Sequence, residues 1–403
     1  MTASGNKIPT IYIFSVLFLW PLHINAAGAT IPLYFFMTPL IFFQSKTTKR
    51  ELITITILAI IIFFNLLSAE LSGIIISAPS KSWASAFIIP IIILSLTISY
   101  RSGINGLSKY TNIFIFLNFS LQILEIMTNT DISKILHSTE NSYQHYFLPI
   151  NRYTGIYPEP SALAIGYSPL IYLIICHSQW AKKEFGKNSI LTTLTSSLIL
   201  CPSATLLSII SACIGLRILS TAKNPIIFLS SSFIFLLLTY LSYRYLPTEI
   251  IDRINQTISG LFSQKETLIE NISSIVFLNG YDVSLNTLSH RYLGYGIMNM
   301  PSAYQEYVIK NDMLFSQLNN EDGSSILFKI VTEFGILGLV IYIYLFIKSM
   351  HSHLTDDISP WKIAFLLGII FCTIRGASYF DGIAILALGF GLISKEKKGN
   401  NNV

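Results

Sequence analysis

The segment Asn151-Arg152-Tyr153-Thr154-Gly155-Ile156-Tyr157-Pro158-Glu159-Pro160-Ser161-Ala162 combines an arginine, a glycine and a proline-bracketed acid. The Arg152 guanidinium presents a fixed fork of donors that matches phosphate oxygens. Glu159 opens an apolar helix, where an acid complements the helix dipole, so its plainest reading is a cap. A second segment reads Ser289-His290-Arg291-Tyr292-Leu293-Gly294-Tyr295-Gly296. Its glycines permit a tight turn beside a ligand; its plainest reading is a loop turn with exposed charge. Glu159, Glu70 and His290 each have the chemistry to accept a proton from a hydroxyl.

The chain that must position these groups is 52% hydrophobic and only 12% charged, with a mean hydropathy of +0.59. Soluble domains carry about 25% charged residues, so long apolar runs here face lipid. About twelve spans are expected, at 9–25, 28–44, 51–69, 83–100, 109–127, 159–178, 188–202, 204–219, 225–242, 326–347, 361–377 and 379–394. The short pairs at 188–219 and 361–394 also fit re-entrant hairpins. Lys7, an apolar run over 11–20 and Ala26-Ala27-Gly28-Ala29 have the form of a signal peptide. A second apolar run follows at once and ends at Lys46, Lys49 and Arg50, so an uncleaved helical hairpin is expected.

With the N-terminus in the cytoplasm, every short basic cluster falls inside: Lys46/Lys49/Arg50, Arg101/Lys109, Lys182/Lys183/Lys187, Arg217/Lys223, Lys348/Lys362 and Lys395/Lys397/Lys398. That is the positive-inside pattern, with both termini cytoplasmic. The net charge of +5 is dispersed among these clusters and carries no nucleic-acid signal. Two long segments fall outside, 128–158 and 243–325, within a single integral membrane domain spanning 1–403. The remaining ionisable residues gather at outer ends: His23, Glu70, Glu125, Arg152, Glu159, Arg244, Arg253, His290, Arg291, Arg375 and Asp381. Charges in or beside spans are expensive and tend to be functional. Cys176, Cys201, Cys213 and Cys372 lie in or beside apolar runs with no C-x-x-C pair and read as small core residues. The hydroxyls of 188–219 read as helix-packing groups, and so do Gly335 and Gly338 in Glu333-Phe334-Gly335-Ile336-Leu337-Gly338-Leu339. No nucleotide-binding motif is present.

In order along the chain, these pieces resemble the O-antigen polymerase (Wzy) family, within the superfamily that includes the O-antigen ligases. The resemblance rests on Arg152, Gly155, Glu159, Pro160, Ser161 and Ala164 opening a helix after a long outer loop. A short Ser/Thr-rich helix pair follows, then Arg291, Gly294 and Gly296 late in a large loop, then the glycine-bearing helix at 335–339. It implies an all-α, GT-C-like membrane glycosyltransferase of the bacterial inner membrane, with a large periplasmic loop between spans 9 and 10. No cofactor and no metal are implied. The partners implied are undecaprenyl-diphosphate-linked oligosaccharide donor and acceptor, membrane lipid, and a polysaccharide chain-length regulator. Functional arginines in the two outer loops correspond to Arg152 and Arg291, expected to converge on a pyrophosphate, with Glu159 as the third expected catalytic residue. His290, Arg253, Glu70, Arg375, Tyr153 and Tyr292 are the expected substrate contacts.

One departure bears on the branch. The ligases carry a His-Asn pair shortly before the glycine-bearing helix, whereas this chain reads Gln317-Leu318-Asn319-Asn320-Glu321-Asp322-Gly323-Ser324-Ser325. That favours a polymerase over a ligase. A flippase or secondary transporter is the third class; it would place ionisable residues near the midplane, often in repeated halves, and no internal repeat is visible.

Overall fold

The computed structural model describes residues 7–26, 29–44, 47–102, 104, 106–130, 132–137, 146–147, 150–220, 229–230, 255, 272–310, 316–355, 358–375 and 378–393. Apart from residues 229–230, the span expected at 225–242, together with Arg244 and Arg253, lies outside them.

The described chain is helical. Its main helices are α1 (Lys7–Phe18), α2 (Thr38–Gln44), α3 (Lys49–Leu71), α4 (Pro79–Arg101), α5 (Leu107–Thr128), α6 (Ile132–His137), α7 (Pro160–Cys176), α8 (Ser178–Leu194) and α9 (Ala204–Ser220). After the large loop begin α10 (Ile272–His290), α11 (Met300–Tyr304), α12 (Ile326–Thr355), α13 (Pro360–Leu366), α14 (Gly368–Ile374) and α15 (Gly382–Ile393). Four of them, α3, α4, α5 and α12, are long and apolar enough to cross a membrane. A fifth span results if α7 and the helix running from Ser178 to Leu200, bent from it by 117°, count as one. The other expected crossings are shorter apolar helices, so twelve full-length spans are not what the described residues display.

Local chemistry explains several boundaries. Thr48 and Glu51 cap α3 reciprocally: the Thr48 hydroxyl accepts from Glu51 N at 3.3 Å, and Glu51 Oε2 accepts from Thr48 N at 2.8 Å. Pro79, Pro160 and Pro360 start α4, α7 and α13, where a missing N–H costs nothing. The expected first helical hairpin is different in kind. Helix α1 stops at Phe18 ahead of Pro21, which lacks an N–H and biases the residue before it away from helix. Strands His23–Ala26 and Ala29–Pro32 then pair antiparallel, and a 3-10 turn at Leu33–Met37 leads into α2.

The bundle has two chemically distinct ends. At one, Arg101 Nη1 pairs with Glu51 at 2.8 Å, Lys362 lies over the Tyr100 ring, and Arg217 donates to the Cys176 carbonyl at 2.9 Å. Here the Tyr172 hydroxyl joins His353 Nδ1 at 2.8 Å and His177 Nε2 at 3.1 Å. His353 Nε2 lies 2.8 Å from the Leu216 carbonyl, so that nitrogen carries the proton. Several sequence-assigned inside residues, Arg101, Arg217 and Lys362 among them, share this end. The opposite end gathers the last turns of α3 and α5, the first turns of α7, α12 and α15, and the loops between. A large apolar core fills the interior. A smaller one joins Val283 of α10 with Tyr295, Met300, Tyr304, Val308, Phe328 and Ala69. The described part of the 243–325 segment is therefore a packed helical cap with its own buried face.

Candidate functional site

The Arg152 segment is held by one polar stripe. Asn118, Gln122 and Glu125 recur at helical spacing on α5 and are all buried. Gln122 Nε2 donates to the Tyr153 carbonyl at 2.7 Å, Asn118 Oδ1 accepts from Ile156 N at 3.0 Å, and Glu125 Oε2 accepts from Gly155 N at 3.0 Å. Tyr153 N donates to the Leu200 carbonyl at 2.9 Å. Gly155 has φ +64°, and a Cβ there would collide with Asn118. The glycine spacing of the motif thus serves backbone capture, and Glu125 is an acceptor for that backbone. Arg152 emerges half-buried beside Glu159 and Cys201; burial lowers its guanidinium pKa, opposed by those neighbours. Glu159 holds the N-cap position of α7, yet its carboxylate accepts from the Ser161 hydroxyl and makes no cap bond to backbone.

The second motif docks into the third. Helix α12 is broken at Gly335 (φ 60°, ψ −136°), which releases carbonyls from the helical ladder. Tyr295 N donates to the Thr332 carbonyl and Gly296 N to the Glu333 carbonyl, both at 3.0 Å, while Ile336 N donates back to Tyr292 O at 2.9 Å. Asn65 Nδ2 joins the splice through the Leu293 and Glu333 carbonyls, each at 3.0 Å. Gly335 was expected to serve close helix packing; it is instead the opening into which the Gly294–Gly296 turn fits. Arg291 stands at the flank of this splice, its Nη2 3.6 Å from Glu306 Oε2 and its guanidinium over the Tyr295 ring. Arg152 and Arg291 are thus held by different partners.

Between the two motifs lies a buried cluster of charged side chains, the pit. Lys329 and Glu333, one helical turn apart on α12, form a fully buried pair at 3.2 Å. Lys329 Nζ also donates to the Glu321 carbonyl and lies 5.3 Å from the Tyr379 ring centre; Tyr379 in turn faces the Glu333 carboxylate. The Ser325 hydroxyl donates to Thr373 O at 3.0 Å, tying the start of α12 to the end of α14. Asp381 Oδ2 accepts from Ser378 N at 2.8 Å. Lys329, Arg375 and Glu159 act electrostatically on Asp322, and Asp322, Lys329 and Glu159 act on Asp381. Burial pushes the Asp381 carboxyl up to about 8, a shift that Asp322 and Glu159 reinforce and that Ser378 N–H and Lys329 oppose. Burial likewise raises the Asp322 carboxyl.

A small apolar groove with a cavity volume of about 50 Å³ abuts the pit. Ile62 of α3, Ile93 of α4, Phe334 of α12 and Leu388 of α15 line it, with Ile297 from the docked loop. Tyr379 belongs to both features: one wall of the groove, and the ring facing Lys329.

The other expected contacts are spread around this end. Glu70 is exposed and accepts from Trp83 Nε1 at 3.1 Å; His290 is exposed and stacks on Tyr307; Tyr292 is exposed; Arg375 is half-buried in the pit. Sequence reasoning passed over Lys329, Glu333, Asp322 and Tyr379. The signal was there, since a lysine and a glutamate four apart inside an apolar helix mark a costly pair. Among the described residues no group of three or more His, Cys, Asp or Glu is placed to hold a metal ion.

Lys329→Met leaves Glu333 buried without its partner and lowers stability by about 3–5 kcal/mol, whereas Lys329→Met with Glu333→Leu recovers most of it. Thermal unfolding in detergent checks this, and a double variant as unstable as the single contradicts it. For Asp381, the folded protein holds the proton more tightly than the unfolded chain. Its stabilising share is therefore full below the ordinary carboxyl pKa of about 3.8 and falls as pH rises towards about 8. Asp381→Asn raises the melting temperature at about pH 9 and leaves it unchanged at about pH 4; equal slopes in both proteins over that range contradict the assignment.

No family model matches this chain, and no curated protein matches it.

Proposed function

We propose that the chain is a glycosyltransferase joining lipid-diphosphate-linked oligosaccharide units, an O-antigen polymerase or one making a related surface polysaccharide. In this reading it resides in the bacterial inner membrane with both termini in the cytoplasm, and its shorter apolar helices complete about twelve spans. The pit then opens to the periplasm.

The observation that carries the reading is the adjacency of charged pit and apolar groove through Tyr379. A lipid diphosphate has the matching shape, a long apolar tail and a doubly charged head. Arg152 supplies a fixed cation where a departing diphosphate gathers charge. Exposed Tyr292 and half-buried Tyr153 near the two arginines offer faces for sugar stacking. The clustering of charge at one end of the bundle speaks against a transporter, which needs it at the midplane.

Lipid-linked intermediates in a deletion strain test the proposal. A polymerase null accumulates single repeat units at the outer leaflet. Long lipid-linked chains would make the protein a ligase, and single units trapped on the cytoplasmic leaflet would make it a flippase; either result rejects the polymerase.

A further inference from the structure

We propose that Lys329 and the Tyr379 hydroxyl grip the tail-side phosphate of a lipid diphosphate, with Glu333 holding Lys329 until that phosphate arrives. This rests on the glycosyltransferase reading and adds the anchor for its lipid donor. A buried ion pair repays its desolvation only where the geometry is good and further hydrogen bonds satisfy both partners. This pair is not built that way. Lys329 Nζ lies 3.2 Å from Glu333 Oε1, yet neither carboxylate oxygen receives a hydrogen bond from the protein. An ammonium carries three N–H donors. The Glu321 carbonyl takes one of them. The Tyr379 hydroxyl, buried like both charges, also bonds no protein group. Its ring centre lies 5.3 Å from Lys329 Nζ, so the unspent donors of the two residues are gathered in one place.

The pair also borders the groove. Lys329 precedes Ile330 on α12 and Glu333 precedes Phe334, and both apolar neighbours line the groove, as Tyr379 does. Among the described residues, Tyr379 is the one polar side chain in that lining. A cavity so lined suits hydrocarbon and not water. Two of the helices that flank it, α3 and α12, are long and apolar enough to cross a membrane, so a lipid tail can reach it. Spare donors at its edge, one of them cationic, suit an anionic oxygen. A phosphate joined to a hydrocarbon tail meets both demands. Its oxygens accept from the Lys329 ammonium and the Tyr379 O–H, and its tail continues along the Tyr379 ring into the groove. A lysine serves here as a compact point charge. Glu333 offsets the buried ammonium when no phosphate is bound.

The test measures binding to the full-length protein in detergent with undecaprenyl diphosphate, undecaprenol and inorganic pyrophosphate as probes. Lys329→Met with Glu333→Leu removes the ammonium without stranding Glu333. Tyr379→Phe removes the second donor and keeps the ring in the groove wall. The expected affinity for undecaprenyl diphosphate is about 10- to 100-fold lower in the double variant and about 3- to 10-fold lower in Tyr379→Phe, with undecaprenol bound as before in both. Tyr379→Phe also melts no lower than wild type, because the lost hydroxyl bonded no protein group. Diphosphate affinity within about threefold of wild type in the double variant overturns the site. So does an equal loss for diphosphate and undecaprenol, which would mark damage to the groove alone. Inorganic pyrophosphate bound as tightly as the lipid form would make this a free-phosphate site and overturn the lipid assignment. Should the double variant not fold, Tyr379→Phe decides alone: a loss confined to the diphosphate supports the site, and no loss overturns it. A wild type that binds the lipid diphosphate through Lys329 yet builds no polysaccharide from lipid-linked units sinks the glycosyltransferase reading only. An active wild type with an unimpaired double variant sinks the phosphate site only.

Discussion

If the chain is the proposed polymerase, Arg152→Ala is expected to leave cells with lipid A–core bearing at most one repeat unit, while the protein still reaches the membrane at its normal level. Arg152 is half-buried beside Glu159, and the backbone around it is clamped by Gln122, Asn118 and Glu125, so the backbone that carries the guanidinium is set in place before any ligand arrives. Preorganised charge of this kind contributes about 100- to 1,000-fold to a rate when it meets charge developing in the transition state. The three clamp bonds from α5 reach the backbone of 153, 155 and 156 and do not use the Arg152 side chain. Arg291→Ala is expected to shorten the ladder less severely, because Arg291 is engaged with Glu306 and the Tyr295 ring at the flank of the docked loop. Silver-stained lipopolysaccharide gels from complemented deletion strains read both outcomes. A full-length ladder from Arg152→Ala rejects its place in the site.

Gly335→Leu abolishes the ladder by another route. A side chain at φ 60° is strained, and its Cβ would collide with the Tyr292 carbonyl. The Tyr295 and Gly296 N–H bonds to the α12 carbonyls are lost with the splice. Together these effects cost about 2–4 kcal/mol. The damage is local, so the 292–296 turn becomes open to protease while the core helices stay protected. Gly335→Leu with wild-type protease resistance and a normal ladder would show that the splice is dispensable.

The long apolar helices were legible because their signal is compositional: α3, α4, α5 and α12 fall within a few residues of their expected starts. The first hairpin was misread because apolar content says nothing about Pro21 and Pro32 breaking a helix into strands. For the candidate site, the three motifs were visible as motifs, but their relation was not. Nothing in Gly294-Tyr295-Gly296 reveals that its N–H groups answer carbonyls released at Gly335, since the two lie about forty residues apart and meet only through tertiary contact. The pit was hidden for a similar reason. Its charges come one or two at a time from α7, α12, and the loops before α12 and α15, each with an innocent local reading. The role of Glu125 reversed on folding: an acid near a helix end became the acceptor for the Gly155 N–H.

The adjacency of charge and apolar groove is tested most directly by a structure of the protein with undecaprenyl diphosphate bound. The phosphates are expected against Arg152 at the pit, and the first isoprene units between Ile62, Ile93, Phe334 and Leu388. Phosphates at the opposite end of the bundle, near Tyr172 and His353, or a tail that leaves this groove empty, would contradict it.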